Sequence, residues 1–167
     1  MIMGKEFYNL KARDIHKNLV NMSEFKGQVL LIVTISSDIT DVPQLTTLEK
    51  LYENYKKDGL NILLFPTDQF KEKEALSSSN LDYALHNSLS IQLPLMEKVD
   101  VKGDTKHPIF SYLTEDKFKI FKNEVKLNFT MFVVSREGEI AKRINNTHIT
   151  YDNLYKILEP YLYDTHQ

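Results

Sequence analysis

The 167-residue chain contains no cysteine. That absence excludes a disulfide scaffold, a thiolate metal site and any chemistry carried by a protein thiolate. Five histidines are scattered without the spacing of a zinc site, and His107, directly before Pro108, reads as a turn or cap residue. An excess of one charge is also missing. With 21 basic against 23 acidic side chains, no overall field draws in nucleic acid or a membrane surface. No apolar run reaches the length of a membrane helix, and residues 1–6 lack the apolar core of a secretion signal. Glu6 stands within the first six positions and no arginine precedes Arg13, so a presequence is not visible either. The expected compartment is the cytosol, with an internal mitochondrial import signal left open. Triplets of the glycosylation type at Asn21, Asn128 and Asn145 are read as chance matches in the absence of export.

What is present is the composition of one ordinary globular domain spanning 1–167. It is 42% hydrophobic and 26% charged, and large enough to bury roughly 70% of its unfolded surface without disulfide or metal. The organising stretch runs from Leu30 to Ile35, a short Val/Ile-rich run that reads as a strand buried on both faces. It feeds a loop, Ser36-Ser37-Asp38-Ile39-Thr40, and then a helix starting near Val42. Asp41 and Gln44 are spaced as a capping box, and Pro43 falls in the first turn where its missing N–H costs nothing. Leu45, Leu48, Leu51, Tyr52 and Tyr55 recur at helical spacing, and Gly59 ends the helix.

A second apolar strand at 60–65 should lie parallel to the first, because a helix connects them. Residues 7–12 and 18–20 read as an N-terminal hairpin, 131–134 and 139–144 as a second hairpin. Ser77 can cap a helix running to about Leu89, Pro108 begins a short helix, and Thr150 caps a last one, with a tail after Pro160 that frays. The expected fold is α/β: a central mixed sheet with strands at 29–35, 60–65, 131–134 and 139–144, flanked on both sides by helices.

The residues around the organising stretch carry a resemblance. Phe7-Tyr8, Phe25-Lys26-Gly27, Pro43-Gln44, Phe65-Pro66-Thr67-Asp68-Gln69-Phe70, Lys98-Val99-Asp100-Val101, His107-Pro108 and Asn128-Phe129-Thr130 occur in this order along nearly the whole chain. In order and spacing they resemble the glutathione peroxidase family. That resemblance implies a thioredoxin-like fold and an active site made of a selenocysteine or cysteine with a Gln, a Trp and an Asn. Gln69 and Asn128 match two of these positions. The chalcogen position falls on Ile39 and the tryptophan position on Leu127, both aliphatic, and the resolving-cysteine region reads Ala84-Leu85-His86-Asn87. A short 113–128 connection is similar to that of the monomeric, phospholipid-hydroperoxide type, so a homotetramer is not expected.

Two local features call for a role. Asp38, Asp41 and Asp68 could converge beside Gln69 and Asn128 and hold a hard cation or another small ligand; alternatively, Asp41 caps its helix and the other two are solvated turn residues. The segment Lys117-Phe118-Lys119-Ile120-Phe121-Lys122 interleaves lysines with large apolar side chains. It is read either as a partner surface or as a strip whose phenylalanines turn into the domain. No cofactor is called for. The preferred expectation is an inactive family homologue acting as an interaction or structural subunit of a protein assembly. The alternatives are a peroxidase of residual or unconventional activity in the oxidative stress response, and a ligand or cation binder.

Overall fold

The computed structural model describes residues 6–115, 124–126, 129–145 and 148–163. An antiparallel hairpin, β1 (Lys11–Arg13) and β2 (Leu19–Asn21), comes first. Residues Phe7–Asn9 form a 3-10 turn rather than the expected start of β1, because Phe7 is drawn fully into the core. Then follow β3 (Val29–Ser36), α1 (Val42–Tyr55), β4 (Leu60–Thr67), α2 (Ser78–Asp82) running into a π-helical turn (Tyr83–Ser88), α3 (Pro108–Leu113), β5 (Met131–Val134), β6 (Ile140–Ile144) and α4 (Tyr151–Leu162).

The main sheet has the order β4-β3-β5-β6. Strand β3 is parallel to β4 and antiparallel to β5, and β5 and β6 form the expected hairpin with an irregularity at Val133/Val134. All eight residues of β3 are buried, and its side chains alternate between two cores, as the period of a strand demands. Val29, Leu31, Val33 and Ile35 pack with Leu45, Leu48 and Leu51 of α1 and Leu154, Leu158 and Leu162 of α4. Leu30 and Ile32 face the other way, toward Phe7, Met22 and the α3 residues Ile109 and Phe110. This two-sided burial is why β3 reads as an unbroken apolar run and not as an alternating one.

Local caps form where side chains can reach the orphan N–H groups of a helix start. Ser77 accepts from Asn80 N, Thr150 from Asn153 N, and His107 Nδ1 from Ile109 N. Burial lowers the His107 pKa, in keeping with a ring nitrogen that accepts. Only half of the expected capping box is made at α1. Asp41 accepts from Gln44 N, but the buried Gln44 amide donates instead to Ile149 O at 3.2 Å, a partner supplied from 105 residues away. Helix α4 runs through Pro160 to Leu162 instead of ending there. Leu162 is 4% exposed and its carbonyl accepts from Arg136, so packing and that contact hold the last turn although Pro160 donates no helical bond. Among the described residues no helix is long and apolar enough to cross a membrane.

Candidate functional site

The site lies at the carboxyl ends of β3 and β4, where open α/β sheets carry their loops. Ser37 N donates to Thr67 O at 3.0 Å, and its hydroxyl donates to Asp68 at 2.5 Å. Lys98 Nζ meets the same carboxylate at 3.2 Å. The Ser37 hydrogen bond leads in lowering the Asp68 pKa, with Lys98 adding to it against the opposing effect of burial. Ser37 is fully buried, and a carboxylate of depressed pKa is a weak base, so its hydroxyl is not activated as a nucleophile.

Asp38 turns the other way. One carboxylate oxygen accepts from Glu72 N at 2.7 Å and Lys73 N at 2.8 Å, pinning the 71–73 segment to the loop. Its other oxygen and Ser36 Oγ are buried without a well-formed hydrogen bond. Burial raises the Asp38 pKa, but the nearby Ser36 hydroxyl and the two backbone N–H groups outweigh it and leave the value lowered. Asp41 faces a third direction, with His148 Nδ1 at 3.1 Å. The three carboxylates thus serve three different anchors. Among the described residues no group of three His, Cys, Asp or Glu side chains is placed to hold a metal ion.

Ile39 sits between these anchors at φ +47°, its partly buried side chain packed against the core. A left-handed backbone is rare for a β-branched residue and costs on the order of 1–3 kcal/mol. It persists because both flanks are tied down: Ile39 N donates to Ser36 O at 3.1 Å, and Asp41 is fixed by its cap and His148.

Gln69 does not point a free amide at this loop. Its Oε1 accepts from Val101 N at 2.8 Å and Lys102 N at 3.1 Å, and its Nε2 donates to Lys102 O at 3.0 Å. The amide is spent as a clamp on the 101–102 backbone. Asn128, Leu127 and the strip from Lys117 through Phe118, Lys119, Ile120 and Phe121 to Lys122 lie outside the described residues. The stretch Ala84 to Asn87 falls in the π-helical turn, where His86 is held between Asp82 at 2.6 Å and Leu93 O at 2.9 Å. Sequence reasoning did not single out Ser37 or Lys98 as partners of Asp68. Ser37, next to Asp38 at the strand end, could have been suspected; nothing local marks Lys98.

Comparison with known proteins follows the same lines. A thiol:disulfide interchange protein of the thioredoxin family from Chlorobium tepidum superposes with a TM-score of 0.66 over 92% of this chain and 93% of its own, at 10% identity. The fold is therefore thioredoxin-like. The family model for glutathione peroxidase matches residues 7–114. The glutathione peroxidase homolog BsaA of Bacillus subtilis is 36% identical over 156 residues, 91% of this chain and 98% of the relative. The crystal structure of T. cruzi GPX1 is 25% identical, with a TM-score of 0.74 over 93% of this chain and 95% of its own. This chain belongs to the glutathione peroxidase family.

Proposed function

We propose that this member of the family has lost peroxide reduction and acts by binding, as an interaction or structural subunit of a larger assembly. The observation that carries the reading is Ile39 at the chalcogen position in a chain with no cysteine anywhere. Peroxide reduction in this family needs a chalcogenolate that is oxidised and then reduced, and aliphatic carbon cannot enter that cycle. The geometry supports the same conclusion. Ser37 is held by a weakly basic carboxylate and the Gln69 amide is committed to residues 101–102, so among the described residues neither the Ser37 hydroxyl nor the Gln69 amide is free to take the thiolate's place.

Purified protein is expected to consume neither hydrogen peroxide nor a lipid hydroperoxide with glutathione or thioredoxin as reductant. Turnover clearly above a heat-denatured control overturns the loss of activity. For the partner, the proposed surface is the lysine and phenylalanine strip from Lys117 to Lys122, matched to a hydrophobic groove rimmed by acidic groups. Replacing Phe118 and Phe121 together by Ser is expected to abolish co-purification with the native partner and leave the fold intact. Loss of the fold would assign both rings to the core and place the interface elsewhere.

A further inference from the structure

Away from the vestigial site, α1 and α4 lie side by side and carry a cluster of tyrosines. Tyr55 and Tyr155 stack with ring centroids 4.9 Å apart and planes 23° from parallel. The Tyr155 hydroxyl donates to Glu159 at 3.2 Å, Asn54 Nδ2 donates to the Tyr151 hydroxyl at 2.7 Å, and Tyr163 donates to the Asp58 carboxylate. The stack thus joins two partly buried phenols, one of which donates to a carboxylate.

We propose that the Tyr55–Tyr155 pair is a site of oxidative modification, at which a one-electron oxidant of the haem-peroxidase class closes a dityrosine cross-link between α1 and α4. Each phenol gives up one electron and one proton. Glu159 takes the Tyr155 proton and solvent takes that of Tyr55. The two phenoxyl radicals form a carbon–carbon bond between their ortho positions, and the two ortho hydrogens move to the phenolic oxygens as the rings regain aromaticity. One hydrogen peroxide, acting through the haem oxidant, accepts the two electrons and two protons and leaves as two waters.

Two further observations favour this pair over other targets. The chain has no thiol and no tryptophan to intercept the oxidant, and the described methionines Met22, Met96 and Met131 are fully buried. Rings already in contact can couple within one molecule once their edges swing together, whereas radicals on separate surfaces must meet by diffusion.

The test treats the dilute full-length protein with a haem peroxidase and limiting hydrogen peroxide, then reads dityrosine fluorescence, gel mobility and linked peptides by mass spectrometry. The expected product is monomer-sized and joins the peptides of Tyr55 and Tyr155. Its fluorescence disappears in Tyr55→Phe and in Tyr155→Phe, which keep the ring stack, and its initial rate falls several-fold in Glu159→Gln. Exposure alone would instead favour Tyr83, at 63% the most exposed large hydrophobic side chain among the described residues. Cross-links running through Tyr83 between molecules, fluorescence undiminished in Tyr155→Phe, or no dityrosine at all would overturn the proposal.

Discussion

The two ends of the central sheet are built on opposite terms. At the end away from the site, the Arg136 guanidinium reaches from the β5–β6 turn to Gly27 O, Asp58 O and Leu162 O at 2.9, 2.7 and 2.8 Å. One side chain there ties the entry to β3, the exit from α1 and the end of α4. The left-handed positions around it are glycines, Gly27, Gly59 and Gly138. Gly59 is doubly constrained, because an added Cβ would lie 2.6 Å from Arg136 Nη1. At the site end, the non-glycine residues Ile39, Asp41 and Phe129 take left-handed backbones, and two buried polar atoms lack a well-formed bond. One end has residues suited to its backbone. The other has a backbone imposed on its residues by anchors, the kind of local strain that functional loops carry.

The comparison breaks most visibly at Arg136. Arg136→Ala removes the donor for the three carbonyls and is expected to cost about 3 kcal/mol in denaturant unfolding; a cost below about 1 kcal/mol would mean that the latch is solvated and the contrast false. Gln69→Leu should cost about 1–2 kcal/mol and speed amide hydrogen exchange at Val101 and Lys102, whose N–H groups it bonds. Unchanged exchange there would show that the clamp is idle. Ile39→Gly sharpens the contrast from the other side. Relief of the left-handed strain opposes the lost packing, so the variant is expected to be neutral or stabilised by up to about 1 kcal/mol. A loss of more than about 1 kcal/mol would make Ile39 a packing residue and not a strained one.

The smallest effect is in acid. Asp68, held down chiefly by Ser37, and Asp38, held down by Ser36 and the 72–73 backbone against burial, both have lowered pKa values in the fold. The unfolded chain therefore binds protons first, and the stability these carboxylates confer is present at neutral pH, begins to fade as pH falls past the ordinary Asp value of about 3.9, and is lost as it falls through the lower values they have in the fold. The stability gap between wild type and Asp68→Asn should be constant near neutral pH and narrow as pH is lowered through about 4 and below. A gap that stays constant with pH would place the role of Asp68 in packing and not in charge.

Much of the fold was legible in the sequence because its signals are short-range. Apolar runs bounded by turn residues located β3 and β4, and caps that reach only two or three residues ahead placed the starts of α1, α2, α3 and α4 at Asp41, Ser77, His107 and Thr150. The family's missing thiol is likewise a matter of composition. The site was legible only as a set of positions. Where each polar side chain would spend its hydrogen bonds was decided by which distant group the folded chain brought within reach: Gln44 went to Ile149, Gln69 to residues 101–102, and the three carboxylates to separate anchors. Phe7 left its strand for the core, and Tyr55 met Tyr155 across 100 residues of chain. Pattern and propensity act over one or two turns of backbone, but a buried amide or carboxylate must pair with whatever donor or acceptor lies beside it, and only the tertiary fold supplies that neighbour.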